Sequence, residues 1–143
     1  MARMADVRSA YASDRVTTSP ERLVTMLYDR LVRDLVAAEQ AIADRDVETS
    51  NRELQHAQAI VIELLHALDV KAWPAAKELS TLYSWIIEQL LQANVRKDAD
   101  QVRSCRSLIE PLGEAWHQAA GRATNRTVQP GVSLPGSSIG AAV

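Results

Sequence analysis

Phenylalanine is missing from this chain of 143 residues, and cysteine occurs once. Aromatic residues amount to 4%, against 47% hydrophobic overall. The interior must therefore be built from Leu, Ile, Val and Ala, a mixture that suits packed helices better than a sheet sandwich. The lone thiol, Cys105, can form no internal disulfide; it falls on an apolar helix face and reads as a core residue. No apolar run in the first 20 residues suits a signal peptide, and no later run reaches the ~20 residues of a membrane span. Membrane insertion is not expected, and a cytoplasmic protein is. Excess charge of one sign is lacking too: the net charge is −2, the isoelectric point is about 5.9, and no basic stripe stands out. That argues against nucleic acid and anionic lipid as partners.

What is present is helix patterning. Ser19 can cap a first turn, Pro20 has its φ preset for the first helical position, and Glu21 complements the helix dipole. From there Leu23, Leu27, Leu31, Leu35, Ala38 and Ile42 recur at spacings of four and three, predicting a helix over Pro20 to Arg45. Asp46 is a cap for a second helix over Val47 to Leu68, with Val47, Leu54, Val61 and Leu68 as a bundle seam. A third helix is expected from Pro74 to Ala93, with its face on Leu79, Leu82, Tyr83, Ile86 and Leu90. Asp98-Ala99-Asp100-Gln101 reads as a capping box opening a fourth, Ala99 to Ala120. Pro111 lies inside that helix and predicts a bend near Ser107 to Pro111.

The fold class that follows is all-α: an antiparallel up-down four-helix bundle over residues 19–120. It has an N-terminal arm over 1–18 and, where four of the five glycines gather, a disordered tail over 121–143.

Little in this pattern points to catalysis. Three Glu-x-x-His pairs (Glu53/His56, Glu63/His66 and Glu114/His117) have the spacing of di-iron bundle ligands. Their positions on the helical wheel face solvent, so no metal is expected. His66 could serve a phosphotransfer module, but Asp69 stands where a cation would help the phosphoryl group. No phosphate-cradling loop or nucleophile elbow occurs, so neither a cofactor nor an enzyme is expected.

The apolar residues exceed what one buried stripe per helix requires. Met26, Val32 and Val36, Ile60 and Ile62, and Trp85, Ile87 and Leu91 straddle the seams. Either the helices bury wide faces, or a second apolar groove exists for an amphipathic partner, covered in the free protein by Val7, Tyr11 and Val16.

At the level of motifs the chain resembles the FliS family of flagellar export chaperones. The likeness runs from Tyr11 and Val16 through Thr18-Ser19-Pro20 and Met26-Leu27-Tyr28-Asp29. It continues with Asn51, Leu54, Ala57, Ile60, Glu63 and Leu64, then Leu82-Tyr83, Ala93-Asn94, Asp98 and Ala115-Trp116. Trp73-Pro74 in place of a glycine, Arg30, and Pro111 with Gly113 depart from the family pattern. The resemblance implies a non-catalytic cytoplasmic chaperone that binds the C-terminal region of flagellin and keeps it from polymerising. It would pass its client to the flagellar type III export apparatus, whose gate components are candidate partners as well. By position, Ile60, Tyr83, Ile87 and Asn94 are the expected groove residues and Val7, Tyr11 and Val16 the lid. Tyr28 is expected in the core with its hydroxyl at the rim.

Overall fold

The computed structural model describes residues 20–128, with side chains described through 122. The expected arm, with Val7, Tyr11 and Val16, lies outside the described residues. Four helices follow in order: α1 Pro20–Ala43, α2 Val47–Ala67, α3 Ala76–Arg96 and α4 Ala99–Val128. There is no strand among the described residues. Each helix packs on its neighbours in sequence, and α4 closes the ring against α1, leaving α1 and α3 on one diagonal and α2 and α4 on the other. This is the up-down bundle that the short connections demand.

The two turns at one end share a design. At the end of α1, Arg45 takes a left-handed conformation (φ 59°), and the Asp46 N–H reaches back to the Ala41 carbonyl at 2.8 Å. At the end of α3, Lys97 does the same (φ 53°), with Asp98 N–H on the Ala93 carbonyl at 3.0 Å. Both are six-to-one closures that satisfy carbonyls the helix leaves open. The aspartate then caps the next helix: Asp46 accepts from Thr49 N–H and Asp98 from Gln101 N–H, each at 3.1 Å. Each cap contributes about 1 kcal/mol. Only half of the expected capping box forms, because the Gln101 side chain donates instead to Gln89 on α3, at 2.8 Å.

The core holds Val24, Tyr28, Leu31 and Leu35 of α1, Leu54, Val61 and Leu64 of α2, Ile86 and Leu90 of α3, and Val102, Cys105 and Ile109 of α4. Leu23, expected inside, is 41% exposed, and Val24 takes its place. A run of four-residue steps overshoots a turn by roughly 40° each time, so Leu23 has rotated out of the face that Leu31 and Leu35 define. Val47, expected in the α2 seam, stands exposed at the helix start. Helix α3 begins at Ala76, not Pro74, because Trp73 to Ala75 form a separate turn closed by Ala76 N–H on the Trp73 carbonyl. It also runs past Ala93 to Arg96. Helix α4 is unbroken through Pro111 and extends beyond the expected end at Ala120 to Val128.

Part-buried ion pairs also join helices. Asp34 of α1 is almost wholly buried and is held by Arg30 Nε at 3.0 Å and by His56 Nδ1 of α2. A carboxylate in such a place needs these donors. On the opposite flank, Arg106 of α4 grips Glu39 of α1 with two N–H groups and Glu110 with a third, the fork geometry that makes arginine–carboxylate pairs strong.

Candidate functional site: the groove between α2 and α3

Helices α2 and α3 run antiparallel with a register fixed by two side-chain bonds. Asn94 Nδ2 donates to Asn51 Oδ1 at 2.8 Å, and Gln58 Nε2 donates to the Ile87 carbonyl at 3.2 Å. Seven residues forward on α2 correspond to seven back on α3. Asn51, Gln58 and Ile62 therefore line one wall of the seam, and Ile87, Leu91 and Asn94, at helical spacing, line the other.

The outer rim of this seam is apolar and uncovered by the described residues. Leu91 is 53% exposed, Val95 78% and Val47 62%, with Ile62 also exposed. Toward the turns the seam deepens into a pocket of about 270 Å³ lined by Val47, Glu48, Asn51, Asn94, Val95 and Lys97. The Lys97 ammonium donates to Ser50 Oγ at 2.9 Å and to Asn94 Oδ1 at 2.6 Å. It thereby ties the pocket to the left-handed turn.

The four expected groove residues separate into two layers. Ile87 and Asn94 stand at the seam. Ile60 and Tyr83 do not: they are buried at 5% and 1% exposure and belong to the core beneath it. Tyr83 instead meets Tyr28 at the centre of the bundle, hydroxyl to hydroxyl at 2.7 Å. The Tyr28 hydroxyl is thus central, not at the rim, and burial pushes its pKa up to about 12 against the hydrogen bonds from Tyr83 and Trp116 that pull it down.

Leu91 and Ile62 were visible as surplus apolar residues, whereas Val95 and the pairing of Asn51 with Asn94 were not. Val95 sits in what read as a turn, and an amide pair across two helices leaves no periodic trace.

Other candidate chemistry is dispersed. His66 and Asp69 are both exposed. His56 is half exposed, yet its ring is clamped to Asp34, where the helical wheel had pointed it outward. His117 pairs with Asp29 at 2.7 Å on the rim of an open cleft between α1 and α4, over Tyr28, Val32 and Pro111. Among the described residues no three His, Cys, Asp or Glu side chains gather to hold a metal ion, and no helix is long and apolar enough to cross a membrane. The buried Cys105 thiol has its pKa raised to about 11 by desolvation, which leaves little of the reactive thiolate.

The family model described as Flagellar protein FliS matches residues 4–123. This chain belongs to the FliS family. It is 35% identical to the flagellar secretion chaperone FliS of Salmonella typhimurium over 111 residues, 76% of this chain and 82% of that one. It is 32% identical to the Campylobacter jejuni FliS over 77% of this chain and 88% of that one. The Bacillus subtilis FliS is 30% identical over 78% and 84%, respectively. In this FliS-family bundle the seam of α2 and α3 carries the exposed apolar side chains Ile62, Leu91 and Val95.

Proposed function

We propose that this protein is a flagellar export chaperone that binds the C-terminal region of flagellin in the cytoplasm. In this reading it keeps the client from polymerising early and hands it to the flagellar type III export apparatus. The observation that carries the proposal is the exposed row of Ile62, Leu91 and Val95 along the α2–α3 seam of a FliS-family chain. A client segment that orders on binding must offset its lost entropy by burying apolar area, and this row supplies it. Ile87 and Asn94 contact the client directly, while Ile60 and Tyr83 hold the floor beneath them. The arm with Val7, Tyr11 and Val16 acts as the lid, and the client displaces it. No cofactor takes part.

Calorimetric titration with the C-terminal segment of the cognate flagellin tests this reading. One-to-one binding with a large negative heat-capacity change is the expected result. Absence of heat at two temperatures, with the bundle folded, would rule out flagellin as the client.

A further inference from the structure

The hydrogen bonds at the end of the seam run in one direction, and that direction fixes what the pocket offers. Lys97 carries only donors, so the atom of Asn94 that faces it must be the carboxamide oxygen, 2.6 Å away. The Asn94 amide nitrogen then points to Asn51, which must answer with its own oxygen, at 2.8 Å. The Asn51 NH2 group is left turned away from the relay with both of its N–H donors unused by the described residues, on an exposed side chain that lines the pocket. Lys97 is itself held in place by Ser50 and by its left-handed backbone, so the relay sets the Asn51 amide in this sense.

We propose that Asn51 is a specificity-determining residue that donates to backbone carbonyls at the C-terminal end of a client helix lying in the α2–α3 groove. This rests on the chaperone reading above. The last four carbonyls of any helix lack internal partners, and they form the negative end of its dipole, which the Lys97 ammonium complements. Val47 and Val95, the two most exposed of the large apolar side chains among the described residues, flank the donors and cover the side chains of the client's last turn. Glu48 lines the same pocket. Its carboxylate offsets the Lys97 charge, so the pocket has no excess positive charge for a terminal carboxylate and suits a neutral peptide carbonyl.

The test titrates three full-length variants with the C-terminal flagellin segment and follows their thermal unfolding in parallel. Asn51→Asp has the same shape and still accepts from Asn94, but presents oxygen lone pairs where donors stood. It should unfold at or above the wild-type temperature and yet bind about tenfold or more weakly, the cost of facing carbonyls with a carboxylate. Lys97→Met frees the relay to flip and should weaken binding by a smaller factor. Leu91→Glu reports on the groove itself. If it abolishes binding while Asn51→Asp binds as well as wild type, the role of Asn51 is overturned and the groove stands. If all three variants bind as wild type, the groove reading fails with it. A probe with an amidated C-terminus should bind unchanged; a loss would mean that the pocket takes a terminal carboxylate, against the proposal.

Discussion

Tyr28 and Tyr83 share a hydrogen bond, 2.7 Å between hydroxyl oxygens, that spans the diagonal of the bundle from α1 to α3. These two helices are not neighbours in the ring, so the bond joins elements that otherwise meet chiefly through α2 and α4. Both rings are almost wholly buried, where a lost partner costs more than a bond gains. Tyr28→Phe should lower stability by about 1–2 kcal/mol, and Tyr83→Phe by a similar amount. The double variant should cost less than the two together, because the shared bond can be lost only once. Urea unfolding of the four proteins measures this directly.

A second expectation concerns the α1–α2 contact at Asp34. His56→Ala leaves that buried carboxylate with Arg30 alone and should cost about 1–3 kcal/mol, whereas His66→Ala, on an exposed position, should fall within about 0.5 kcal/mol of wild type. His66→Ala should also leave client binding intact, which a phosphotransfer role for that residue would not predict. Unfolding midpoints and one titration decide both points.

The buried thiol gives a pH dependence with a definite sign. The Cys105 pKa is raised from 9.0 to about 11 in the folded protein. Below pH 9 the thiol is neutral in both states and its contribution to stability is fully present. Between pH 9 and about 11 only the unfolded state releases the proton, so stability falls as pH rises. Cys105→Ala should show a shallower decline across this window in pH-dependent urea unfolding. Native protein should likewise resist thiol alkylation that the unfolded chain undergoes readily.

On the groove, Val95→Glu and Leu91→Glu should leave the thermal midpoint nearly unchanged, since both side chains already face solvent. Each should weaken binding of the flagellin segment at least about tenfold. A fall in affinity matched by a fall in midpoint would instead mark them as structural.

How much of this was legible in the sequence depended on whether the signal was periodic. The four helices, their antiparallel order and caps Asp46 and Asp98 followed from spacing, because burial of one face per helix imprints a 3.6-residue repeat. Where the repeat was read too literally, the position slipped: Leu23 extended a run of fours that the helix itself does not keep. Ile60 and Tyr83 were expected in the groove by position in the family pattern, although Tyr83 also lay on the apolar face of its helix; spacing shows that a helix has more apolar residues than a stripe requires, but not how deeply two helices interlock. Asp34 gave no signal at all. A lone acidic residue among Arg33, Leu35 and Val36 looks like any surface charge until His56 is brought across from the next helix.

The closing of the ring by α4 against α1 has a consequence for how the molecule comes into being. The bonds of Glu39 to Arg106 and of Thr25 to the Trp116 carbonyl join positions 67 and 91 residues apart, whereas each end turn is made from a handful of adjacent ones. During synthesis the α1–α2 hairpin and then the α2–α3 seam can form while α4 is still inside the ribosome, and α1 keeps its oily side bare until the last helix emerges. The α2–α3 seam is thus the early-born part of the bundle, and the contact that locks the whole into one cooperative body is the last to be made.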